Sequence, residues 1–358
     1  MQIKKIITGL TILLLLTTSV FAAKAKKSNK DNSKLKVVTT IFPEYDWTRE
    51  ILGDNLKNVE LTLLLGNGVD LHSYQPSIQD IAKISTADIF IYVGGESDGW
   101  VKDALKNATN KNMKAINLLE TLGDKVKAEE IKEGMQAEED EEHEHHHHEG
   151  EHHDDDDDDD DDHDHEAEGE HHHHHDEEEI EYDEHVWLSL RNAKILSAEI
   201  AAALCEKDQA NAASYKANLA AYKSKLDALD TKYAATVKSA PKNTILFGDR
   251  FPFRYLVDDY NLDYYAAFVG CSAETEASFE TVIFLSKKVD ELGLNAVLKI
   301  ESGDGKIART IAQNTKNKNA KVLTLDSIQS TTAKQAASGT TYLSIMESNL
   351  KVLEEALK

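Results

Sequence analysis

The chain has 358 residues, 65 Asp and Glu against 40 Lys and Arg, a formal net charge of −25 and 41% hydrophobic content, which is length enough for two domains of ordinary size. The acidity is local: Glu129 to Glu184 holds 31 acidic residues and one lysine, and apart from five lysines in the first 27 residues the two signs balance elsewhere. Such a neutral body lacks the excess of Lys and Arg that releases counterions from a polyanion, so nucleic-acid binding is disfavoured, as is a broadly acidic, halophile-like surface.

Lys4 and Lys5 precede an apolar run from Ile6 to Leu16, and Ser19-Val20-Phe21-Ala22 offers small residues at the spacing a signal peptidase accepts. Residues 1–22 are therefore expected to be a signal peptide. The run is about 11 residues, short of the roughly 20 that cross a bilayer, so no stable membrane insertion is expected. No cysteine lies near the cleavage point, which argues against a lipid anchor and for a soluble periplasmic or otherwise extracytoplasmic protein. In that oxidising setting Cys205 and Cys271 could form a disulfide; two buried thiols are the alternative.

From Lys36 a strand to Ile41 is followed by a helix from Glu44 to Leu52, a strand from Val59 to Leu65 and a helix capped by Ser77. A strand from Ile89 to Val93, a helix from Trp100 to Ala108 and a strand at Ala115-Ile116 complete this part. The alternation returns with strands near Thr244–Phe247, Tyr264–Val269, Ala296–Ile300 and Lys321–Leu325. Nearly continuous apolar strands alternating with helices predict an α/β fold of two lobes, each a mostly parallel sheet flanked by helices. Between them, Tyr215, Leu219, Tyr222, Leu226, Leu229 and Tyr233 recur at helical spacing with no Gly or Pro from Asp208 to Ala240, predicting one long rigid helix. The chain closes on a stripe of Leu343, Met346, Leu350, Leu353 and Leu357. Neither stripe sustains enough heptads for a free coiled coil, so both are expected to pack on the lobes. The expected boundaries are a first lobe over 36–206, a linking helix over 207–240 and a second lobe over 241–358.

The window 129–184 is a different polymer. It contains 14 of the 16 histidines and nine consecutive aspartates from Asp154 to Asp162. With almost no apolar residue to offset the entropy of ordering, it is expected to be a disordered insertion in the first lobe. Its imidazoles and carboxylates suit divalent metal ions, with an engineered tag or a solvating linker as the alternative. His143-Glu144-His145-His146-His147 and His148-Glu149-Gly150-Glu151-His152 match a metalloprotease spacing, but by composition alone, since no apolar stripe exists to seat such a helix in a cleft.

The two histidines outside the tract are His72, in Asp70-Leu71-His72-Ser73-Tyr74 before Pro76-Ser77, and His185, in Asp183-Glu184-His185-Val186-Trp187-Leu188-Ser189. Both lie at loop-to-helix edges, where the carboxyl ends of parallel strands present ligands. These two segments, with a charged His-rich insertion just before the second, resemble the metal-binding motifs of zinc and manganese ABC-transporter substrate-binding proteins. The resemblance covers most of the mature chain. It implies two α/β lobes with the metal in the cleft between them, delivery to an ABC transporter permease, and no catalytic step.

The second lobe departs from the zinc-type pattern, which has a histidine after its first strand; here the chain reads Phe247-Gly248-Asp249-Arg250-Phe251. Arg cannot ligate because it stays protonated. Asp249 is thus a candidate ligand by position, and Glu301 matches the carboxylate of manganese-type relatives. A helix cap or a salt bridge is the structural alternative for either acid. His175, ten residues before His185, could also reach the cleft. A site of His72, His185, Asp249 and Glu301 tolerates zinc and manganese, and the His-rich insertion favours zinc. The expectation is a monomeric extracytoplasmic protein that captures zinc for an importer. An extracellular zinc metalloenzyme, or a metal-storage or adhesion protein, is the alternative.

Overall fold

In the first lobe, β1 (Leu35–Thr39), β2 (Val59–Leu63), β3 (Ile89–Tyr92) and β4 (Lys114–Asn117) form a parallel sheet of order β2-β1-β3-β4. Helices α1 (Phe42–Leu52), α2 (Ile78–Ser85), α3 (Val101–Lys106) and α4 (Leu118–Leu122) lie between or after these strands. The two-residue period of a strand divides their side chains between two layers. Val38 and Phe90 pack with Ile84, Val101 and Ala104 on one face, while Val37, Ile89 and Ile91 join the large core that holds Phe42, Trp47 and Ile51. This computed structural model describes residues 34–136, 181–272 and 276–358. The expected signal peptide, the nine aspartates and His175 lie outside them. Among the described residues no helix is long and apolar enough to cross a membrane.

Helix α5 (Leu190–Lys207) and, after one tight turn, α6 (Ala212–Ser239) lead into the second lobe. As the stripe requires, Tyr215, Tyr222, Leu226, Leu229 and Tyr233 of α6 are buried, and Leu219 packs against the same core. The Asn218 amide donates to the Ile51 carbonyl at 2.9 Å, holding α6 against α1.

The second lobe contains the parallel pairs β5 (Thr244–Leu246) with β7 (Asp263–Tyr265), β6 (Arg250–Phe251) with β8 (Phe268–Val269), and β9 (Ala296–Lys299) with β10 (Lys321–Thr324). A parallel bridge from Phe247 to Leu298 ties β5 to β9. Helices α7 (Arg254–Tyr260), α8 (Phe279–Glu291), α9 (Lys306–Asn314), α10 (Ala333–Ala337) and α11 (Tyr342–Ala356) flank these strands. The strand expected over 264–269 is divided. Phe247 N donates to Tyr265 O, Ala267 N donates to Asp249 O, and the chain then pairs with β6 instead of continuing beside β5.

Helix α11 returns to the first lobe. Tyr342 is wholly buried, meets Trp47 edge-on at 5.3 Å between ring centroids, and donates its hydroxyl proton to Trp187 O at 2.6 Å. Trp187 in turn donates its indole N–H to Ser327 O at 2.8 Å. The described residues from Leu35 onward consequently form a single compact unit in which α1 near its start and α11 near its end share one core.

One expectation needs correction. Both ends of the 129–184 window are structured. Ala128 bridges Tyr182 antiparallel, Gln136 bridges Phe268 parallel, and Lys132 Nζ donates to Asp263 at 2.6 Å. The side chain of Met135, packed against the core, and the available strand edge at Phe268 supply what the polyacidic centre lacks. Of the two states left open for the cysteines, the structure has free thiols at both Cys205 and Cys271, Cys205 on α5 with its Sγ 3.6 Å from Ala212 O.

Candidate metal site

Two local turns of the same design carry the histidines. Asp70 caps the tight turn Leu71–Ser73, its Oδ1 accepting from His72 N at 3.1 Å. Asp183 Oδ1 likewise accepts from His185 N at 2.8 Å. An aspartate two residues ahead of each histidine therefore folds the backbone back on itself and fixes the direction of the ring that follows. Buried Leu71 anchors the first turn, and Val186, Trp187 and Leu188 anchor the second.

The two rings converge, with His72 Nε2 and His185 Nε2 3.1 Å apart. His185 Nδ1 faces Asp183 Oδ1 at 3.1 Å, and because a carboxylate can only accept, this contact assigns the proton to Nδ1 and, in the neutral ring, leaves a lone pair on Nε2. His72 Nδ1 pairs with Ser97 Oγ at 2.8 Å, with Glu184 Oε2 at 3.6 Å behind it. Burial and, next, the adjacent His185 ring pull His72 down to about 3, so its imidazole is neutral and its Nε2 available as a donor to a cation.

Cys271 completes the cluster. The ligand atoms of His72, His185 and Cys271 all lie within 4.8 Å of one another. Gly270 permits this approach, since a Cβ there would stand 2.9 Å from Phe251 O and 3.2 Å from the His185 ring. The Cys271 amide donates to Glu129 Oε1 at 3.1 Å, so the structured base of the acidic window holds the thiol loop. Burial, followed by the Glu129 and Asp183 carboxylates, raises the thiol above its ordinary range. A cation seated here must displace that proton to gain a thiolate. Two imidazoles and a sulfur suit zinc and other borderline or soft ions, and suit manganese poorly.

Asp249 and Glu301 are not members of this cluster. Asp249 Oδ1 accepts from Arg250 N at 3.0 Å and its Oδ2 from Ile300 N at 3.2 Å, strapping the end of β5 to the end of β9. Glu301 accepts from Ser327 N at 2.7 Å, from Ser330 N at 3.3 Å and from both serine hydroxyls at 3.0 Å. Its carboxylate organises the loop after β10. Arg250, where a zinc-type relative has its histidine nearby, pairs with Asp70 of the first lobe.

The residue that sequence reasoning misplaced is Cys271, weighed there only for a disulfide. Its signal was positional: the thiol falls in Val269-Gly270-Cys271, directly after a strand of the second lobe. That is where open α/β sheets present ligands.

Parallel α/β lobes joined by a long helix, with two imidazoles and a thiol converging at strand ends, define the class: a two-lobed α/β protein with a largely sheltered cluster of residues able to hold a metal ion. The chain belongs to the ZnuA family, zinc-uptake complex component A, periplasmic, whose model matches residues 37–356. It is 30% identical over 346 residues to the zinc-binding lipoprotein AdcA of Streptococcus pneumoniae, covering 97% of this chain and 60% of that protein. It is 28% identical over 330 residues to the high-affinity zinc uptake system protein ZnuA of Bacillus subtilis, covering 92% and 90%. Among solved structures, the Zn(II)-bound ZnuA-like domain of Streptococcus pneumoniae AdcA superposes with a TM-score of 0.63 at 25% identity, covering 90% of this chain and 99% of that one. The chain spans only 55–60% of the length of the streptococcal AdcA relatives. The expectation of an unanchored protein gains no support from AdcA, which is named a lipoprotein.

Proposed function

We propose that this protein captures zinc outside the cytoplasm and hands it to an ABC importer, acting as a monomer and without a catalytic step. The observation that carries the reading is the convergence of His72 Nε2, His185 Nε2 and Cys271 Sγ within 4.8 Å. Family membership and the zinc-uptake relatives support the same cargo. In this reading His72, His185 and Cys271 bind the ion, Asp183 and Ser97 orient the two rings, and Asp249 and Glu301 shape the second lobe around them. The histidines of the acidic window would gather zinc near the site, since clustered imidazoles bind it and carboxylates raise its local concentration. Zinc accumulation by cells lacking this chain tests the reading. Accumulation at low external zinc should fall, and should be restored by the full chain but not by the H72A/H185A variant. Undiminished accumulation in the deletion, or full rescue by that variant, would overturn it.

A further inference from the structure

Gln329 lies in the loop after β10, is 2% exposed, and reaches the same constellation from the second lobe. Its carboxamide has one orientation that satisfies its neighbours. The NH2 group donates to both oxygens of Asp70 at 2.8 Å, and the carbonyl oxygen accepts from His185 Nε2 at 2.6 Å. Asp70 is held in turn by the Arg250 guanidinium. Asp70 also accepts from His72 N at 3.1 Å, so the carboxylate is fixed in place and faces the amide with oxygens alone. The loop is fixed from behind, where Glu301 accepts from the amides of Ser327 and Ser330 on either side of Gln329.

His185 Nε2 thus stands 2.6 Å from the carbonyl oxygen of Gln329 and 3.1 Å from His72 Nε2, and hydrogen bonds link the three atoms in the metal-free chain. A cation that displaces the proton from these bonds meets all three atoms as lone-pair donors already gathered on one side of the site. We propose that the Gln329 carboxamide oxygen is the fourth donor to the captured ion, giving a donor set of two imidazole nitrogens, one thiolate and one amide oxygen. The Arg250–Asp70–Gln329 chain accounts for an arginine beside the position of the absent histidine: it cannot ligate, and it aims a ligand that can. A closed four-donor set with one sulfur selects a tetrahedral, thiophilic divalent cation. This inference rests on the His72–His185–Cys271 reading.

Cobalt(II) titrations of the full-length protein test it. Thiolate-to-cobalt charge transfer in the near ultraviolet reports only ions bound by a cysteine, so the histidines of the acidic window are silent in that band. Displacement of the band by zinc gives the relative zinc affinity. Q329M preserves volume and removes the donor, whereas Q329E restores an oxygen but loses the NH2 group that contacts Asp70. Q329M should weaken binding by at least ~10-fold, the loss that even outer-shell changes produce, and should reduce the visible d–d absorption as water enters the coordination sphere. Q329E should retain the affinity and the strong d–d bands of the unaltered protein. Unchanged binding and spectra in Q329M, or equal losses in both variants, would overturn the inference while the band itself upheld the three-ligand reading. Absence of the band from the unaltered protein would instead remove the reading on which it rests.

Discussion

His72 Nε2 and His185 Nε2, separated by 113 positions in the chain, face each other at 3.1 Å with their other ring nitrogens occupied. A hydrogen bond between the rings holds them there in the metal-free chain, and a cation that displaces its proton gains two nitrogen donors already aimed at one point. Alanine at either position should therefore abolish tight binding at the thiolate-reporting site. Equilibrium competition against a zinc chelator, with the charge-transfer band followed in parallel, measures this; binding that survives either substitution would place the ion elsewhere.

Cys271 sets the kind of ion. C271S replaces a soft sulfur by a hard, neutral hydroxyl, and the ratio of zinc to manganese affinity should fall by at least ~10-fold because imidazole and thiolate favour zinc whereas oxygen favours manganese. Cys205, on α5 near Ala212, is the control, and C205S should leave the ratio unchanged. Equal ratios in C271S and the unaltered protein would show that the sulfur is no ligand.

Several elements are legible in the amino-acid sequence: the four strands of the first sheet follow from short apolar runs alternating with helices, and the stripe of α6 and the apolar face of α11 from helical spacing. The histidine turns are legible because an Asp-x-His segment is local. The second lobe's contribution is not. Cys271 reaches His185 only because the strand expected over 264–269 breaks and re-pairs with β6, and because Gly270 leaves room beside the imidazole. Nothing local encodes that re-pairing. Gln329 is invisible in the sequence for a related reason, since its direction is set by Asp70, 259 positions away in the chain, and by Arg250. The edges of the acidic window escape a compositional reading because composition averages over the window, while Gln136 and Tyr182 act through single bridges to structured neighbours.

Asp249 and Glu301 should behave as structural acids. Each accepts backbone amides from a different segment, so alanine at either position leaves buried donors unsatisfied, at a cost of about 1–3 kcal/mol per group. Both variants should unfold at lower denaturant concentration. E301A should also weaken zinc binding through the loop that carries Gln329, whereas D249A should leave the intensity of the cobalt d–d bands unchanged. Loss of those bands in D249A, with stability intact, would show Asp249 to be a ligand after all.

Glu44 gives the fold a pH dependence independent of the metal. Its carboxyl is wholly buried and is pushed up to about 8 by burial and, next, by Asp98. Burial likewise pushes Asp98 up to about 7. Unfolded carboxyl groups titrate near pH 4, so from roughly pH 4 to 8 the folded protein retains protons that the unfolded chain has released. Stability must therefore fall as pH rises through this interval. The denaturation midpoint should be lower at pH ~8.5 than at pH ~5.5, and E44Q, which stays neutral, should flatten the slope. A midpoint that rises with pH over this range would contradict the assignment of a protonated Glu44.

The central claim, that zinc is held jointly by His72, His185 and Cys271, is tested most directly by zinc K-edge X-ray absorption on full-length protein loaded with one equivalent of zinc. The expected first shell contains one sulfur at about 2.3 Å together with nitrogen and oxygen at about 2.0–2.1 Å, with the outer-shell scattering of two imidazoles, and the sulfur contribution disappears in C271S. A first shell of nitrogen and oxygen alone, unchanged by that substitution, would contradict it.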